Sequence, residues 1–267
     1  MPELPETETI ARDLDAALRG AVIARTVVRH PDVVRAVPPD ALDAALRGAA
    51  IAQVWRRAKL VVLDLLPDAR ASRPVLAVQP RFTGALLLDA APTDDPYVCL
   101  IWTLTDGRTL AYRDVRRLGT VALFDDAGWH TYEGALGPEP LDPALTPTEF
   151  SAYVRHSTRP IKAVLMDQRT LAGVGNIYAT EALWGAALDP SRRACELSLA
   201  DTTRLLDVLR DVLLRAIAAR GTSFRDYRDA HGARGTFVEQ LQAYGRAGQP
   251  CRRCGGRLVG TDAVDGR

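Results

Sequence analysis

Short apolar segments recur through residues 1–124 of the chain, separated by residues that favour turns. They predict eight β-strands, at residues 21–29, 50–56, 59–66, 74–79, 84–89, 97–105, 108–113 and 119–124. Asp106 and Gly107, between two of these strands, are typical of a two-residue hairpin turn. Many short strands joined by tight turns favour an antiparallel β-sandwich over a parallel sheet.

Apolar residues at helical spacing also occur before, within and after the series of strands. Residues 3–19 predict a leading helix that ends before Gly20, and residues 40–47 predict a short helix among the strands. Further along, the pattern becomes helical, and Thr146 with Glu149 gives the sequence signature of a capping box. The helices predicted there cover residues 146–157, 160–168, 177–187 and 198–220.

A segment dense in glycine and proline, residues 134–147, separates the two patterns and predicts a linker. The sequence therefore predicts an α+β protein with two domains. The N-terminal β-sandwich domain, with its leading helix, covers residues 1–133, the helical domain covers residues 148–240, and a short C-terminal segment covers residues 241–267.

The composition is that of a globular protein with enough apolar residues for two cores. Of the 267 residues, 47% are hydrophobic and 25% are charged. No apolar run approaches the roughly 20 residues of a membrane-spanning helix, and the acidic N-terminus is unlike a signal peptide. We therefore expect a cytoplasmic protein without a membrane partner.

Charge is distributed unevenly along the chain, although the net charge is only +1. Residues 1–150 carry 16 basic and 21 acidic side chains, and residues 151–267 carry 18 and 12. A basic second half fits a surface that binds phosphates, but it is also typical of ordinary solvated surfaces. Lys59 and Lys162 are the only lysines among 34 basic residues, so each is a candidate for a role that needs a titratable amine.

The first eight residues, MPELPETE, place a proline behind the initiator methionine and a carboxylate behind the proline. If Met1 is removed, Pro2 carries a free secondary amine, and an α-amino group with a pKa near ~7.8 is partly neutral at pH 7. Such an amine can attack carbon without a helper base, and Glu3 is placed to move a proton. The alternative is structural, because proline followed by acidic residues is also typical of the first turn of a helix.

Three later segments carry candidate binding chemistry. LAGVGN, residues 171–176, combines glycines with Asn176 at a predicted helix start. That arrangement can contact a phosphate, but it also occurs in ordinary interhelical turns. Residues 223–237 form a long polar loop, and long loops are often functional. Cys251 and Cys254, in the CRRC sequence, are half of a four-cysteine zinc site.

These segments belong to a larger ordered set of motifs. MPELPETET, RRAK, LMDQ, GVGNIY and LQAYGRAGQPCRRC follow one another, and together they resemble the bacterial formamidopyrimidine-DNA glycosylases over nearly the whole chain. The resemblance implies a DNA repair enzyme with a β-sandwich, a helix–two-turn–helix domain and a zinc-finger hairpin. It also implies excision of oxidised purines, such as 8-oxoguanine and formamidopyrimidines, through an imine on the N-terminal proline, followed by β,δ-elimination.

The resemblance implies roles for individual residues as well. Pro2 would be the nucleophile, Glu3 the general acid, and Lys59 a cation that holds an oxygen near the reacting carbon. Phe82 and Leu118 would fill the space of the flipped nucleotide, where many relatives have methionine and phenylalanine. The other implied residues are Arg116 opposite the orphaned base, Asn176 on a DNA phosphate, and Arg267 in the late elimination step.

Two features depart from the family pattern. Asp95 stands where relatives often have a histidine that contacts DNA, which puts that contact in doubt. The chain ends 13 residues after Cys254, before a second cysteine pair. The explanations are a truncated sequence, a finger that works without zinc, or zinc completed by another ligand such as Cys195, and we favour truncation. If the finger is complete, Cys251 and Cys254 should bind one structural zinc, and no redox cofactor is expected.

The expected partner is double-stranded DNA containing oxidised bases or abasic sites, bound by a monomer. One alternative is an endonuclease VIII-like glycosylase for oxidised pyrimidines, although the MPELPE start and the 223–237 loop favour the purine type. A second alternative is a lesion-binding protein without turnover. The intact set of Pro2, Glu3 and Lys59 argues against that alternative.

Overall fold

The computed structural model describes residues 2–66, 74–89, 94–261 and 264. The chain divides into two compact units, one made of Met1–Gly134 with Ala219–Thr236 and the other of Ala135–Ala218 with Phe237–Arg267. The first unit thus contains the predicted sandwich together with residues 219–236, which the sequence analysis placed in the 148–240 domain.

The first unit opens with helix α1, Leu4–Leu18. A capping box between Glu3 and Glu6 closes its first turn, and Pro5 lies in that turn, where a helix needs no N–H donor. The apolar face of the helix is buried in the sandwich core. Gly20, with φ of +82°, lets the chain turn sharply after the helix ends.

Nine strands in the described part of the first unit form two sheets. They are β1 (Ile23–Val28), β2 (Val34–Arg35), β3 (Ala50–Arg57), β4 (Leu60–Leu66), β5 (Val75–Gln79), β6 (Gly84–Leu88), β7 (Val98–Leu104), β8 (Thr109–Asp114) and β9 (Thr120–Phe124). The strand orders are β1-β7-β8-β6 and β2-β9-β5-β4-β3. These described strands pair antiparallel except for β2 with β9, a two-residue parallel pair that the sequence did not predict.

One hydrophobic core draws on both sheets and on α1. It includes Leu14 of the helix, Leu63 of one sheet, and Trp102 and Tyr112 of the other. Alternate side chains of a strand point to opposite faces, so one face of each sheet supplies this shared core. The predicted β-sandwich is confirmed.

Two hairpins of the first unit concern the site. The predicted turn at Asp106 and Gly107 joins β7 to β8, and Gly107 has φ of +91°. Ala58 and Lys59 form the turn between β3 and β4. Lys59 therefore lies in a turn, whereas the sequence analysis placed it at the start of a strand.

Two helical elements depart from the predictions. The helix predicted at 40–47 is a 3-10 turn, Pro39–Ala41, followed by helix α2, Leu42–Leu46. Helix α3, Asp126–Gly134, was not predicted. Its Trp129 is buried in a separate cluster on the face of the second sheet that points away from the sandwich core.

The described part of the second unit contains four α-helices. They are α4 (Pro147–Arg155), α5 (Ile161–Met166), α6 (Asn176–Gly185) and α7 (Leu199–Ala218). The capping box of Thr146 and Glu149 is confirmed, and α7 packs against α4 and α6. No helix in the described ranges is long and apolar enough to cross a membrane.

Candidate functional site

The N-terminal residues are buried within the first unit. Pro2 is buried, and Glu3, which follows it, is only 1% exposed. The backbone N–H of Glu3 donates to Glu6 Oε2 at 2.8 Å, and the backbone N–H of Thr222 donates to Glu6 Oε1 at 2.7 Å. The Glu6 carboxylate therefore fixes the position of the residue next to Pro2.

Lys59 lies in the hairpin turn next to Ala58, whose φ is +52°. Arg56 donates from Nη1 to the Ala58 carbonyl at 3.0 Å and from Nε to Glu8 Oε2 at 2.9 Å. Burial alone would raise the pKa of Glu8, but Arg56 and Arg12 outweigh it and hold that pKa below its ordinary value. The turn that carries Lys59 is thus bonded to helix α1 through a charged pair.

Phe82 and Leu118 are large apolar side chains that remain exposed. Phe82, between β5 and β6, is 44% exposed, and Leu118, between β8 and β9, is 40% exposed. Arg116 lies over the Phe82 ring, with 5.1 Å between its Cζ atom and the ring centroid. Since core side chains are normally covered, this exposure argues against a packing role for Phe82 and Leu118.

Asp114, which the sequence analysis did not single out, links the turns that carry these residues. It ends β8 and is fully buried. Its Oδ1 accepts from Thr83 Oγ1 at 2.5 Å and from the Arg116 backbone N–H at 3.2 Å. Its Oδ2 accepts from the Gly119 backbone N–H at 2.8 Å and from the Tyr112 hydroxyl at 3.1 Å. Burial and the Asp114 charge raise the pKa of Tyr112, so the phenol remains a donor.

The polar loop at 223–237 is held by a buried carboxylate. Asp229 is 1% exposed, and its Oδ1 accepts from the backbone N–H groups of two loop residues at 3.0 and 2.8 Å. Its Oδ2 accepts from Arg220 Nη2 at 2.5 Å, and the same Nη2 donates to Asp13 Oδ2 on α1 at 2.5 Å. The loop is therefore bonded to the helix that begins beside Pro2.

In the second unit, Asn176 begins α6 directly after a glycine-containing turn. Gln168 orders that turn, because its Oε1 accepts from the Gly173 N–H at 2.8 Å and its Nε2 donates to the Val174 carbonyl at 2.9 Å. The Asn176 Oδ1 is buried and has no hydrogen-bond partner among the described residues. Phosphate oxygens accept hydrogen bonds, so the group of this helix-start residue that can donate to a phosphate is Nδ2 and not the buried Oδ1.

Glu181 of α6 is buried and holds the segment that precedes the two cysteines. It accepts from three successive backbone N–H groups, those of Gln242, Ala243 and Tyr244, at 2.7 to 2.8 Å. The indole N–H of Trp184, on the same helix, donates to Cys251 Sγ at 3.4 Å.

Comparison with known proteins identifies the family. The family model for the formamidopyrimidine-DNA glycosylase N-terminal domain matches residues 1–121, and that for the formamidopyrimidine-DNA glycosylase H2TH domain matches residues 136–228. The formamidopyrimidine-DNA glycosylase of Moorella thermoacetica is 43% identical over 96% of this chain and 92% of its own length. The chain belongs to the formamidopyrimidine-DNA glycosylase family. The formamidopyrimidine-DNA glycosylase of Thermomicrobium roseum is 42% identical over 97% of this chain and 93% of its own length.

Solved structures of formamidopyrimidine-DNA glycosylases share the fold of the whole chain. Wild-type Lactococcus lactis Fpg in complex with DNA containing N7-benzyl-Fapy-dG has a TM-score of 0.89 and 31% identity, covering 100% of this chain and 96% of that one. The same protein in complex with DNA containing an abasic site has a TM-score of 0.89 and 31% identity, covering 99% and 96%.

The predicted site residues of this glycosylase are distributed over both units. Pro2 and Glu3 directly precede α1, and the hairpin of Lys59 is bonded to that helix. The residues predicted to contact DNA in the first unit are Phe82, Arg116 and Leu118, on two adjoining turns, and Asn176 lies in the second unit. Arg267 lies outside the described residues.

Cys251 and Cys254 are the candidate zinc ligands of this glycosylase, and both are free thiols. The backbone N–H groups of Arg253 and Cys254 lower the pKa of Cys251 to about 7, with help from Trp184. Among the described residues, no group of three or more cysteine, histidine, aspartate or glutamate side chains could hold a metal ion. A structural zinc site needs four ligands, so the described residues do not fit a complete one. Cys195 is a described residue and does not form such a group with Cys251 and Cys254, so the suggestion that it completes the site is wrong.

Asp95, which departs from the family pattern in the sequence, forms an ion pair with Arg113. It accepts from Arg113 Nε at 2.6 Å and from the Tyr97 backbone N–H at 2.8 Å. Burial opposes ionisation of Asp95, but these hydrogen bonds prevail and lower its pKa. The resulting carboxylate would repel a DNA phosphate.

The buried carboxylates that hold these segments in place were not predicted from the sequence. They are Glu6, Asp114, Glu181 and Asp229, and each accepts at least two backbone N–H groups. A usable signal exists for two of them, because Asp114 lies inside RDVRRLG and Glu181 follows GVGNIY closely. An acidic residue within a motif, or a few residues after one, is therefore a candidate for this supporting role.

Proposed function

We propose that this chain is a bifunctional glycosylase and abasic-site lyase of base-excision repair that removes oxidised purines from double-stranded DNA. Its family supports the reaction class, and the DNA lesions in the Lactococcus lactis complexes support the substrate class. The observation that carries the catalytic assignment is the buried N-terminus, where Pro2 is followed by a Glu3 whose backbone is fixed by Glu6.

Pro2 is proposed as the nucleophile once Met1 has been removed. Its amine nitrogen forms a bond to C1′ of the damaged nucleotide as the glycosidic bond breaks, and the base leaves with the bonding electrons and takes up a proton. Glu3 is proposed to supply and carry protons, because it adjoins the amine and is shielded from bulk water. Lys59 is proposed to hold an oxygen of the sugar or phosphate beside the reacting carbon.

The iminium that forms when the sugar ring opens acts as an electron sink. Loss of a proton from C2′ then breaks the C3′–O bond, and loss of a proton from C4′ breaks the C5′–O bond, so both flanking phosphates leave. Arg267 is proposed to assist this late step, although it lies outside the described residues. The chemistry needs no redox cofactor.

Access to a base in a duplex requires that the nucleotide leave the stack. Phe82 and Leu118 are proposed to fill the space it leaves, since both are apolar and exposed, and Arg116 is proposed to face the orphaned base. Asn176 is proposed to contact a phosphate. The loop at 223–237 is proposed to cover the flipped base.

We propose that residues 1–133 form the catalytic domain and residues 148–240 the DNA-binding domain, and that residues 134–147 link them. Cys251 and Cys254, in the C-terminal segment 241–267, would supply two thiolates to one structural zinc if the finger is complete. No reaction step depends on that metal. The proposed location is the bacterial cytoplasm, where chromosomal DNA lies.

The test is covalent trapping by borohydride. The enzyme is mixed with a duplex containing 8-oxoguanine, or with one containing an abasic site, and borohydride is added to reduce the iminium to a stable amine. We expect a protein–DNA adduct that peptide mass mapping places on Pro2. A form that retains residues ahead of Pro2 has an amide in place of the amine, so it should bind duplex but neither cleave nor crosslink.

The rival functions predict other results. An oxidised-pyrimidine glycosylase would trap faster on a duplex with an oxidised pyrimidine than on one with 8-oxoguanine. A lesion-binding protein would trap on neither duplex. If the blocked protein cleaves as fast as the free one, Pro2 is only the start of a helix and the catalytic assignment fails.

A further inference from the structure

The turns that carry Phe82 and Arg116 leave the same end of one sheet. β6 begins at Gly84, β8 ends at Asp114, and these two residues pair directly across the antiparallel strands. Phe82 and Thr83 lie just before β6, and Arg116 lies just after β8. The strand pairing alone therefore brings the two turns side by side.

Each turn contains a backbone conformation that needs support. Arg81, with φ of +51°, precedes Phe82, and Arg117, with φ of +49°, lies between Arg116 and Leu118. The left-handed region is unfavourable for any residue with a Cβ atom, so other contacts must hold these turns in place.

A single hydroxyl group joins the two turns. Thr83 Oγ1 donates to Asp114 Oδ1 at 2.5 Å and accepts from the Arg116 backbone N–H at 3.1 Å. Thr83 is 8% exposed and Asp114 is fully buried, so water competes little for these hydrogen bonds. The residue that follows Phe82 is thus bonded to Arg116 itself.

Asp114 holds both ends of the turn between β8 and β9. While Oδ1 accepts from the Arg116 backbone, Oδ2 accepts at 2.8 Å from the backbone N–H of Gly119, the residue after Leu118. A Cβ atom on Gly119 would overlap the hydroxyl of Tyr112, so the turn closes tightly around this carboxylate.

We infer that Thr83 and Asp114 are positioning residues that hold the two turns in one geometry, so that Phe82, Arg116 and Leu118 enter a duplex together. This inference rests on the proposed function, in which those three side chains replace the flipped nucleotide. Thr83 and Asp114 act only through the side chains they position. Fixing the two turns beforehand means that DNA binding does not have to order them.

The test compares two substitutions of Thr83. Thr83→Val keeps the shape of the side chain and removes the hydroxyl, whereas Thr83→Ser keeps the hydroxyl. We expect Thr83→Val to slow single-turnover excision of 8-oxoguanine from a duplex about tenfold or more. Cleavage of a preformed abasic single strand, which needs no wedge, should change by less than about twofold. Thr83→Ser should restore the duplex rate.

Thr109→Val is the matched control. The Thr109 hydroxyl also donates to an aspartate, Asp89 Oδ1 at 3.3 Å, on the same pair of strands but at the far end from the two turns. Its loss should leave both rates unchanged. If Thr83→Val does not fold, as judged by circular dichroism, Thr83→Ala replaces it in the same assays.

A double substitution separates positioning from a general structural role. If Thr83 acts through the wedge, Thr83→Val combined with Phe82→Ala should be no slower on duplex than Phe82→Ala alone. Additive losses, equal losses on both substrates, or a wild-type duplex rate for Thr83→Val would overturn the inference, even where Phe82→Ala supports the wedge. If Phe82→Ala itself excises from duplex at the wild-type rate, the wedge assignment in the proposed function fails, and the inference fails with it.

Discussion

The backbone N–H of Thr222 donates to the Oε1 atom of Glu6, 216 residues earlier in the chain, at 2.7 Å. The other oxygen of Glu6 accepts from the backbone N–H of Glu3 at 2.8 Å. The fit is close, because a Cβ atom on Gly221 would lie 2.9 Å from Glu6. One buried carboxylate therefore fixes the backbone position of Glu3, beside the proposed nucleophile Pro2, and that of Thr222, just before the 223–237 loop.

Glu6→Gln tests this relationship with little change in shape. Glutamine carries an NH₂ group in place of one oxygen, so one of the two backbone N–H groups must face a donor. We expect the free energy of unfolding to fall by about 1–3 kcal/mol and duplex excision to slow. Urea unfolding measures the free energy, and single-turnover assays measure the excision rate. Glu196→Gln removes the same charge from an exposed position and should change neither. Wild-type stability in Glu6→Gln would contradict the assignment.

Glu8 gives a pH-dependent prediction. Although burial raises the pKa of Glu8, Arg56 and Arg12 bring it below its ordinary value of 4.5. A carboxyl whose pKa is lower in the folded state stabilises the fold above the unfolded pKa, and this contribution is lost as pH falls through the folded pKa. The unfolding free energy of wild type should exceed that of Glu8→Gln by about 1 kcal/mol near pH 7, a value discounted for the solvent around Glu8. Urea titrations from pH 7 to pH 3 should show the difference shrinking below pH 4.5, and a constant difference would disprove the linkage.

Most of the fold could be predicted because its apolar residues repeat with a clear period. The leading helix differs from Leu4–Leu18 by one residue at each end, and the strand from Ala50 to Arg57 by one residue. Helix α3 was missed because a single buried side chain, Trp129, holds it. One anchor residue produces no repeat along the sequence.

The candidate site, like the fold, could be predicted from the sequence only in part. Pro2 and Asn176 were predicted because each lies in a contiguous motif whose chemistry is local. Thr83 and Asp114 are 31 residues apart, and they meet only because β6 pairs with β8 in one register. Such contacts depend on strand pairing, which the residues of either turn do not encode by themselves.

Asn176 gives a prediction in which stability and DNA binding change in different directions. Asn176→Asp puts a negative charge at a helix start, which favours the helix but repels a phosphate. We expect duplex affinity to fall about tenfold or more while the melting temperature stays equal or rises. Asn176→Ala should weaken binding less. Fluorescence anisotropy with a labelled duplex, at several salt concentrations, measures the affinities.

Thr180→Val is the control for that experiment. Its hydroxyl donates at 2.7 Å to the Asn176 carbonyl one helical turn earlier, so the substitution perturbs the same helix without changing the Asn176 side chain. Duplex affinity should remain within about twofold of wild type. If Asn176→Asp binds duplex as tightly as Thr180→Val does, Asn176 is not a phosphate contact.

Glu181 should control the order of the segment before the cysteines. In Glu181→Gln at least one of the N–H groups of Gln242, Ala243 and Tyr244 loses its acceptor. We expect these three amides to exchange with solvent about tenfold faster, because the hydrogen bonds that protect them weaken. Amides in the centre of α7 serve as the internal control and should keep their protection. Unchanged exchange at all three positions would show that another contact holds the segment.

The proposed wedges predict a loss of activity that a core residue would not show. Leu118→Ala and Phe82→Ala should cost less than about 1 kcal/mol of unfolding free energy, since both side chains are exposed. Excision of 8-oxoguanine from duplex should nevertheless slow about tenfold or more, because the flipped state loses the group that replaces the base. Single-turnover rates on duplex, and on a single strand with a preformed abasic site, measure the effect.

Val115 provides the matched control for Leu118. Both residues lie in the turn between β8 and β9, and each is 40% exposed, so Val115→Ala removes a similar apolar surface from the same segment. If insertion depends on the side chain at one position, Val115→Ala should keep the duplex rate while Leu118→Ala loses it. If the two variants lose the same activity, the turn contributes only general apolar surface. If Leu118→Ala instead unfolds at much lower urea concentration and slows both substrates equally, Leu118 is a packing residue and the wedge assignment is wrong.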